Sequence, residues 1–282
     1  MVPLSLLTAI IIFLVTGIGV GFASGLLGVG GCFIMMPVQF WVYTEMGVDP
    51  NTAILVAFGT NLFVVLPTAI SSAYGHTKKG AVWWNAAIVL GLTGSVGAVL
   101  GATIATHLPA HILKMAFGLA ILAGGVWMLT AKPPNIEEEP ADKTWVWAAW
   151  GIPIGIVTGM IGIGGGILMI PLFVLVLKFG MHKAVGTSTA VMIFTSIGGL
   201  AGYIYNGLIA GVYGAYPIGH LIGYVNPESW LVLAATSVPM AQVGVRVAHL
   251  LPAKQLKNVF VVVMLYISLK MIGVFEWLRL PF

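Results

Sequence analysis

Long apolar runs, broken by short polar or glycine-rich stretches, organise this chain. They fall at roughly 4–27, 31–45, 52–74, 82–106 and 111–130, and again at 145–161, 165–179, 184–206, 229–249 and 254–276. Most approach the ~20 apolar residues that a helix needs to cross a hydrocarbon core of ~30 Å. The pattern predicts an all-α polytopic membrane protein. The runs that open at 31 and 165 are shorter, and about 15 helical residues extend only roughly 22 Å. Each half is therefore expected to hold a broken hairpin, two short helices meeting at a glycine turn inside the membrane. Such a turn is tolerable only where protein or a water-filled cavity surrounds its free backbone groups.

The two halves are copies of each other. Gly21, Gly25, Gly28, Gly30, Gly31 and Pro37 recur 134 positions later as Gly155, Gly159, Gly162, Gly164, Gly165 and Pro171. Gly59-Thr60-Asn61, Gly75 and Gly80 recur after 127 as Gly186-Thr187-Ser188, Gly202 and Gly207. Leu108-Pro109-Ala110, with Leu113, Lys114 and Phe117, recurs after 143 as Leu251-Pro252-Ala253, with Leu256, Lys257 and Phe260. Changing offsets mean loop insertions between matched helices. The expected organisation is a first membrane repeat over 1–131, a polar linker over 132–144 and a second membrane repeat over 145–282. Each repeat is a Gly-rich broken helical hairpin plus three membrane helices. Ala210–Asn226, rich in Gly and Tyr, reads as an extra loop of the second copy.

Charge gives the orientation. With an odd number of effective spans per copy, the copies are inverted. Lys78, Lys79, Lys132, Lys143, Lys178, Lys183, Arg246, Lys254 and Lys257 then share one side, and little beyond Lys114 and Arg279 remains on the other. The positive-inside bias thus favours inverted-topology repeats with both termini outside the cytoplasm. Lys257 and Arg246 could also lie within helices and snorkel. Met1–Gly21 lacks a basic leader region and partly recurs later, so it is read as structure rather than a signal peptide.

Composition agrees. Apolar residues make up 59% of the chain and charged ones only 7%, against about a quarter in soluble domains, and mean hydropathy is +1.05. A soluble enzyme, a disordered chain and a nucleic-acid binder are excluded, because the basic residues flank apolar runs rather than form a face. One cysteine, Cys32, excludes an internal disulfide or a multi-cysteine metal site. No nucleophile, acid–base pair, metal cluster or cofactor motif is legible, so no catalytic or metal role is assigned, and no oligomeric state is specified.

The paired glycine clusters are the best candidates for a site. Glycine lets a ligand touch backbone N–H groups, and each cluster opens a short helix whose free amides and dipole favour an anion. Gly28, Gly30, Gly31 and Cys32 belong to the first cluster, and Gly162, Gly164, Gly165 and Gly166 to the second. The competing reading is close helix packing through small residues. Thr60, Asn61, Thr187 and Ser188 carry neutral donors that could complete an oxyanion's shell without a buried cation, which would hold the anion too tightly to release. Hydroxyls bonded to their own helix are the alternative. The implied partners are a small anionic substrate, a coupling ion such as H⁺, and the lipid bilayer.

The doubled G-x-x-x-G-x-x-G-x-G-G followed by Pro, the matched Gly-Thr-Asn and Gly-Thr-Ser, and the repeated Leu-Pro-Ala-x-x-Leu-Lys resemble the sulfite exporter TauE/SafE family across nearly the whole chain. The resemblance implies a cytoplasmic-membrane permease for sulfite, organosulfonates or related sulfur oxyanions, driven by an ion gradient. It places Gly28, Gly30 and Gly31 in the family's first signature and Gly162, Gly164 and Gly165 in its second. The chain departs in having Cys32 where the second copy has Gly166, and about seven more residues between Pro37 and Gly59 than between Pro171 and Gly186. A thiol there could touch a sulfur substrate, or simply fill space as a small buried hydrophobe.

Rival readings use the same residues differently. A passive anion channel would use the same donors, and a membrane assembly factor or metal carrier would need ligands that Met35, Met36 and Met169 alone do not supply. His76 and His249 could relay protons or be solvated at the interface. His107 and His111 straddle Pro109, which argues against a helical metal pair. Trp41, Trp83, Trp84, Trp145, Trp147, Trp150 and Trp277 fit interfacial belts, and Glu45 and Asp49 a solvated outer loop.

Overall fold

A computed structural model describes residues 5–130, 144–250 and 253–274. The linker, the Leu251-Pro252 pair and the C-terminal end of the last run lie outside these residues, as do the side chains of Lys254 and Lys257. Among the described residues ten α-helices occur: α1 Leu6–Leu27, α2 Cys32–Glu45, α3 Pro50–Lys78, α4 Trp84–Thr106, α5 Ala110–Thr130, α6 Thr144–Met160, α7 Gly166–Pro171, α8 Met181–Ile209, α9 Pro227–Ala248 and α10 Ala253–Ile272. Among the described residues six are long and apolar enough to cross a membrane, namely α1, α3, α4, α5, α8 and α9. The chain is a multi-pass membrane protein.

Helix ends follow local chemistry. Asp49 caps α3 by accepting from the N–H groups of Asn51 (3.0 Å) and Thr52 (3.2 Å), with Pro50 at the first helical position. Asn226 does the same for α9, accepting from Ser229 N–H at 2.6 Å ahead of Pro227. α1 stops at Gly28, whose φ of 66° is open to glycine at little cost, and Gly162 at the matched position has φ 62°.

The two copies interlock. α1 packs on α9 of the other copy, where Gly17, Gly21 and Gly25 approach Leu233, Ser237 and Ala241. α6 packs on α4 in the same way, with Gly151, Gly155 and Gly159 meeting Leu90, Gly94 and Ala98. Small residues at every fourth position let these backbones come close, which is how membrane helices gain contact without a hydrophobic driving force. α3 and α8 form the buried centre and run antiparallel: Leu62 meets Gly199 and His76 meets Gly186. α5 and α10 are likewise antiparallel, with Gly118 against Ile272 and Gly124 against Met264.

Two elements differ from the sequence reading. The Ala210–Asn226 loop contains an antiparallel hairpin, β1 Tyr213–Tyr216 with β2 Gly219–Ile222, tied to α9 through His220 N–H and Glu228 (3.0 Å). The second short helix is not continuous: α7 gives way to a π-helical turn at Leu172–Val176, with Leu177 N–H bonded five residues back to Leu172. Pro171 has no N–H for the i→i−4 ladder, but Pro37 at the matched position leaves α2 unbroken, so the missing N–H alone does not account for the wider turn.

Charge is segregated by helix end. Lys78 and Lys79 end α3, Lys183 opens α8, and Arg246 lies in the last turn of α9. The described carboxylates Glu45, Asp49 and Glu228 sit at the opposite ends of α2, α3 and α9, where Lys114 also lies over the Phe40 ring.

Candidate functional site

The glycine turns that follow α1 and α6 meet each other at the centre of the bundle. The thiol of Cys32 donates to Ile163 O at 2.9 Å, and a Cβ on Gly166 would collide with the Val29 Cα and lie 2.5 Å from Gly28 O. α3 and α8 frame the junction through matched positions. Phe58 packs on Gly162 while Val185 packs on Gly28, and Val65 packs on Gly164 while Met192 packs on Gly30. The glycines of both clusters, Cys32 and Ser188 come together at this junction, whereas Thr60 and Thr187 bond to the residues that precede α9 and α4.

Four glycines serve close packing. A side chain at Gly28 would meet Val185 O at 2.5 Å, at Gly31 Val20 O at 2.6 Å, at Gly162 the Phe58 backbone at 2.7 Å, and at Gly166 the facing turn. Gly30, Gly164 and Gly165 instead face side chains at 3.1–3.6 Å, namely Met192, Cys32, Val65, Ser196, Met169 and Thr158. These three leave backbone accessible to a ligand once side chains move. Among the described residues, no carbonyl accepts from the N–H groups of Gly30, Gly31, Gly164 or Gly165.

The hydroxyls are mostly spent. Thr187 accepts Trp83 N–H and Thr60 accepts Asn226 N–H, both at 3.0 Å. Trp83 and Asn226 are the residues that precede α4 and α9, so Thr187 of α8 ties down the start of α4 and Thr60 of α3 that of α9. Ser188 donates to Val185 O (2.7 Å) and Gly28 O (2.8 Å), closing the first turn rather than offering a proton.

Asn61 is different. It is fully buried on the face of α3 that carries Phe58 and Val65, and among the described residues neither its Nδ2 nor its Oδ1 has a partner. It sits well inside α3 rather than near its start, because α3 begins at Pro50. The Ser196 hydroxyl is also buried without a partner, and a Cβ on Gly164 would lie 3.4 Å from it. Native folds rarely leave such groups orphaned, and each normally has a use.

The family model for the sulfite exporter TauE/SafE matches residues 13–271. The chain belongs to the sulfite exporter TauE/SafE family. Its relatives include a "Probable membrane transporter protein" of Methanocaldococcus jannaschii, 29% identical over 249 residues, which cover 87% of this chain and 89% of the relative. Another of that name, from Haemophilus influenzae, is 24% identical over 268 residues, 94% of this chain and 98% of the relative. A third, from Xylella fastidiosa, is 34% identical over 177 residues, 60% of this chain and 64% of the relative. No solved structure matches significantly. This TauE/SafE chain is thus a membrane transporter.

Ser196 and Thr195 escaped the sequence reading. Thr195 donates to Gly164 O at 2.6 Å and, at offset 127, matches Thr68, so the repeat held a signal for it. Ser196 matches Ala69 and carries none. Gln39 and Tyr43, one turn apart on α2, are further buried polar side chains without partners; the Tyr43 hydroxyl faces Thr60 and Ser229 without meeting either in good geometry. Cys32 is fully buried and engaged across the turns. In this TauE/SafE protein a maleimide added to the folded chain is therefore expected to leave the thiol unmodified, with labelling appearing only on unfolding, as mass spectrometry would read.

Proposed function

We propose that the protein carries a small sulfur oxyanion, sulfite or a sulfonate, across the cytoplasmic membrane by alternating access. The anion is held where the two glycine turns meet, with Asn61, Ser196 and the N–H groups of Gly30, Gly164 and Gly165 as donors. Asn61 carries the reading: its carboxamide is buried at the junction with nothing to bond. An oxyanion supplies acceptors for Nδ2 and the peptide N–H groups. If it bears one proton, as bisulfite does, its hydroxyl suits Oδ1 as well.

Neutral donors fit a carrier, because they bind an anion in low dielectric without the grip of a full ion pair. The antiparallel pairing of α3 with α8 and of α5 with α10 supports inverted copies, since equivalent helices run oppositely only under a two-fold axis in the membrane plane. The basic ends of α3, α8 and α9 support a cytoplasmic placement for that face. Exchange of conformation between the copies would open the junction to each side in turn. Full enclosure of Asn61 favours this over an open anion channel.

Counterflow tests it. Proteoliposomes preloaded with unlabelled sulfite should take up ³⁵S-sulfite faster than vesicles preloaded with chloride. Equal uptake from both, with ionic currents across a reconstituted bilayer, would replace the carrier with a channel.

A further inference from the structure

Three histidines that the central junction does not use meet at the basic end of the bundle. His76 lies in the last turn of α3, His182 in the first turn of α8, and His249 caps α9. The His76 and His249 ring centroids are 5.5 Å apart, and those of His249 and His182 are 5.4 Å apart with the rings 19° from parallel. Burial deepens along the series, from exposed His182 through half-buried His249 to His76 at 1% exposure.

The His76 Nε2 lies 3.0 Å from Gly25 O, three residues before the first glycine turn. A carbonyl only accepts, so Nε2 carries the hydrogen and Nδ1 is left with a lone pair. Among the described residues that Nδ1 is buried without a partner, and so is Nε2 of His249. Lys78 and Lys79 come from the end of α3, Lys183 from α8 and Arg246 from α9, all exposed. α1 contributes the Gly25 carbonyl and the Ser24 hydroxyl, which faces Ser72 at 3.5 Å. No carboxylate among the described residues lies at this end. Burial first, then His182 and Lys79, hold His249 below the ordinary imidazole value.

We propose that His76, His249 and Lys79 form an entry station for the oxyanion, which takes up one proton with each anion it binds. A lone pair at His76 Nδ1 repels an anion, whereas the protonated ring donates to one. The proton leaves a hydronium ion at the exposed His182 end, which becomes water, and adds to the Nδ1 lone pair of His76 while the Nε2–H bond to Gly25 O stays in place. By reciprocity the anion raises the proton affinity of the pair as much as the proton raises anion affinity. The station deepens the transport reading and rests on it. His76 lies on the Asn61 face of α3, about 22 Å along the helix, with buried Thr68 and Ser72 between.

Calorimetric titration with sulfate, which keeps its charge near neutral pH, tests the station in buffers of different ionisation heat. Uptake of about one proton per sulfate is expected, with affinity rising about tenfold per unit fall in pH above the histidine range. His76→Gln and His249→Gln should lose the proton uptake. Sulfate bound by the unsubstituted chain without proton uptake, or no sulfate bound, overturns the station. Proton-linked binding in a chain that moves no sulfur oxyanion overturns the transport reading instead.

Discussion

Asn61→Leu is expected to make the protein more stable and nearly inactive. The wild-type carboxamide buries two polar atoms with no partner, and each such group costs about 1–3 kcal/mol. Leucine has similar volume and asks for no hydrogen bond, so the folded state should gain about 1–3 kcal/mol and melt at higher temperature in detergent. Transport should fall at least ~100-fold, equivalent to about 2.7 kcal/mol of lost anion stabilisation. Opposite signs for stability and flux are the signature of a polar group retained for binding. A variant that melts lower and still transports would give Asn61 a purely structural role.

Gly166→Ala is expected to have the largest structural effect. Its Cβ would strike the Val29 Cα and the Gly28 carbonyl, which are backbone atoms of the facing turn and cannot swing aside. The turns would separate, and the Cys32 bond to Ile163 O would be lost with them. The cost should reach about 3 kcal/mol or more, the upper end for overpacking. Gly30→Ala should cost less, about 1–2 kcal/mol, from placing a side chain at φ 75°. Its Cβ meets only Met192 Sδ (3.2 Å), Cys32 Sγ (3.3 Å) and Val65 Cγ2 (3.4 Å), all of which can shift. Thermal unfolding of both variants measures the order, and equal melting temperatures would mean that the turns do not pack as described.

Element positions were legible because glycine, proline and charge interrupt apolar runs where helices end. α1, α4 and α5 stop within a few residues of the positions read from the sequence. The recurring glycine pattern includes the positive-φ positions Gly28, Gly30, Gly31, Gly162, Gly164 and Gly165. It could not separate turn glycines that pack from those that leave room, since Gly30 and Gly31 differ only in what approaches them from α1 and α8. Thr60 and Asn61 are adjacent, yet a 100° step around α3 gives one a cap to satisfy and leaves the other unpartnered. Periodicity of apolar residues carries no such information in a helix buried on all sides. The π-helical turn leaves no mark in the sequence, since Pro37 and Pro171 are matched and only the second copy has the wider turn, and the β-hairpin rests on strands of only four residues each.

Selenite, the selenium counterpart of sulfite, offers the most direct look at the junction. Crystals grown with it and measured at the selenium edge should show an anomalous peak within hydrogen-bonding distance of the Asn61 carboxamide and the Gly164 amide. A junction still closed by Val65 and Met192, with selenium bound solely at the histidine end or nowhere, would contradict anion binding between the two turns.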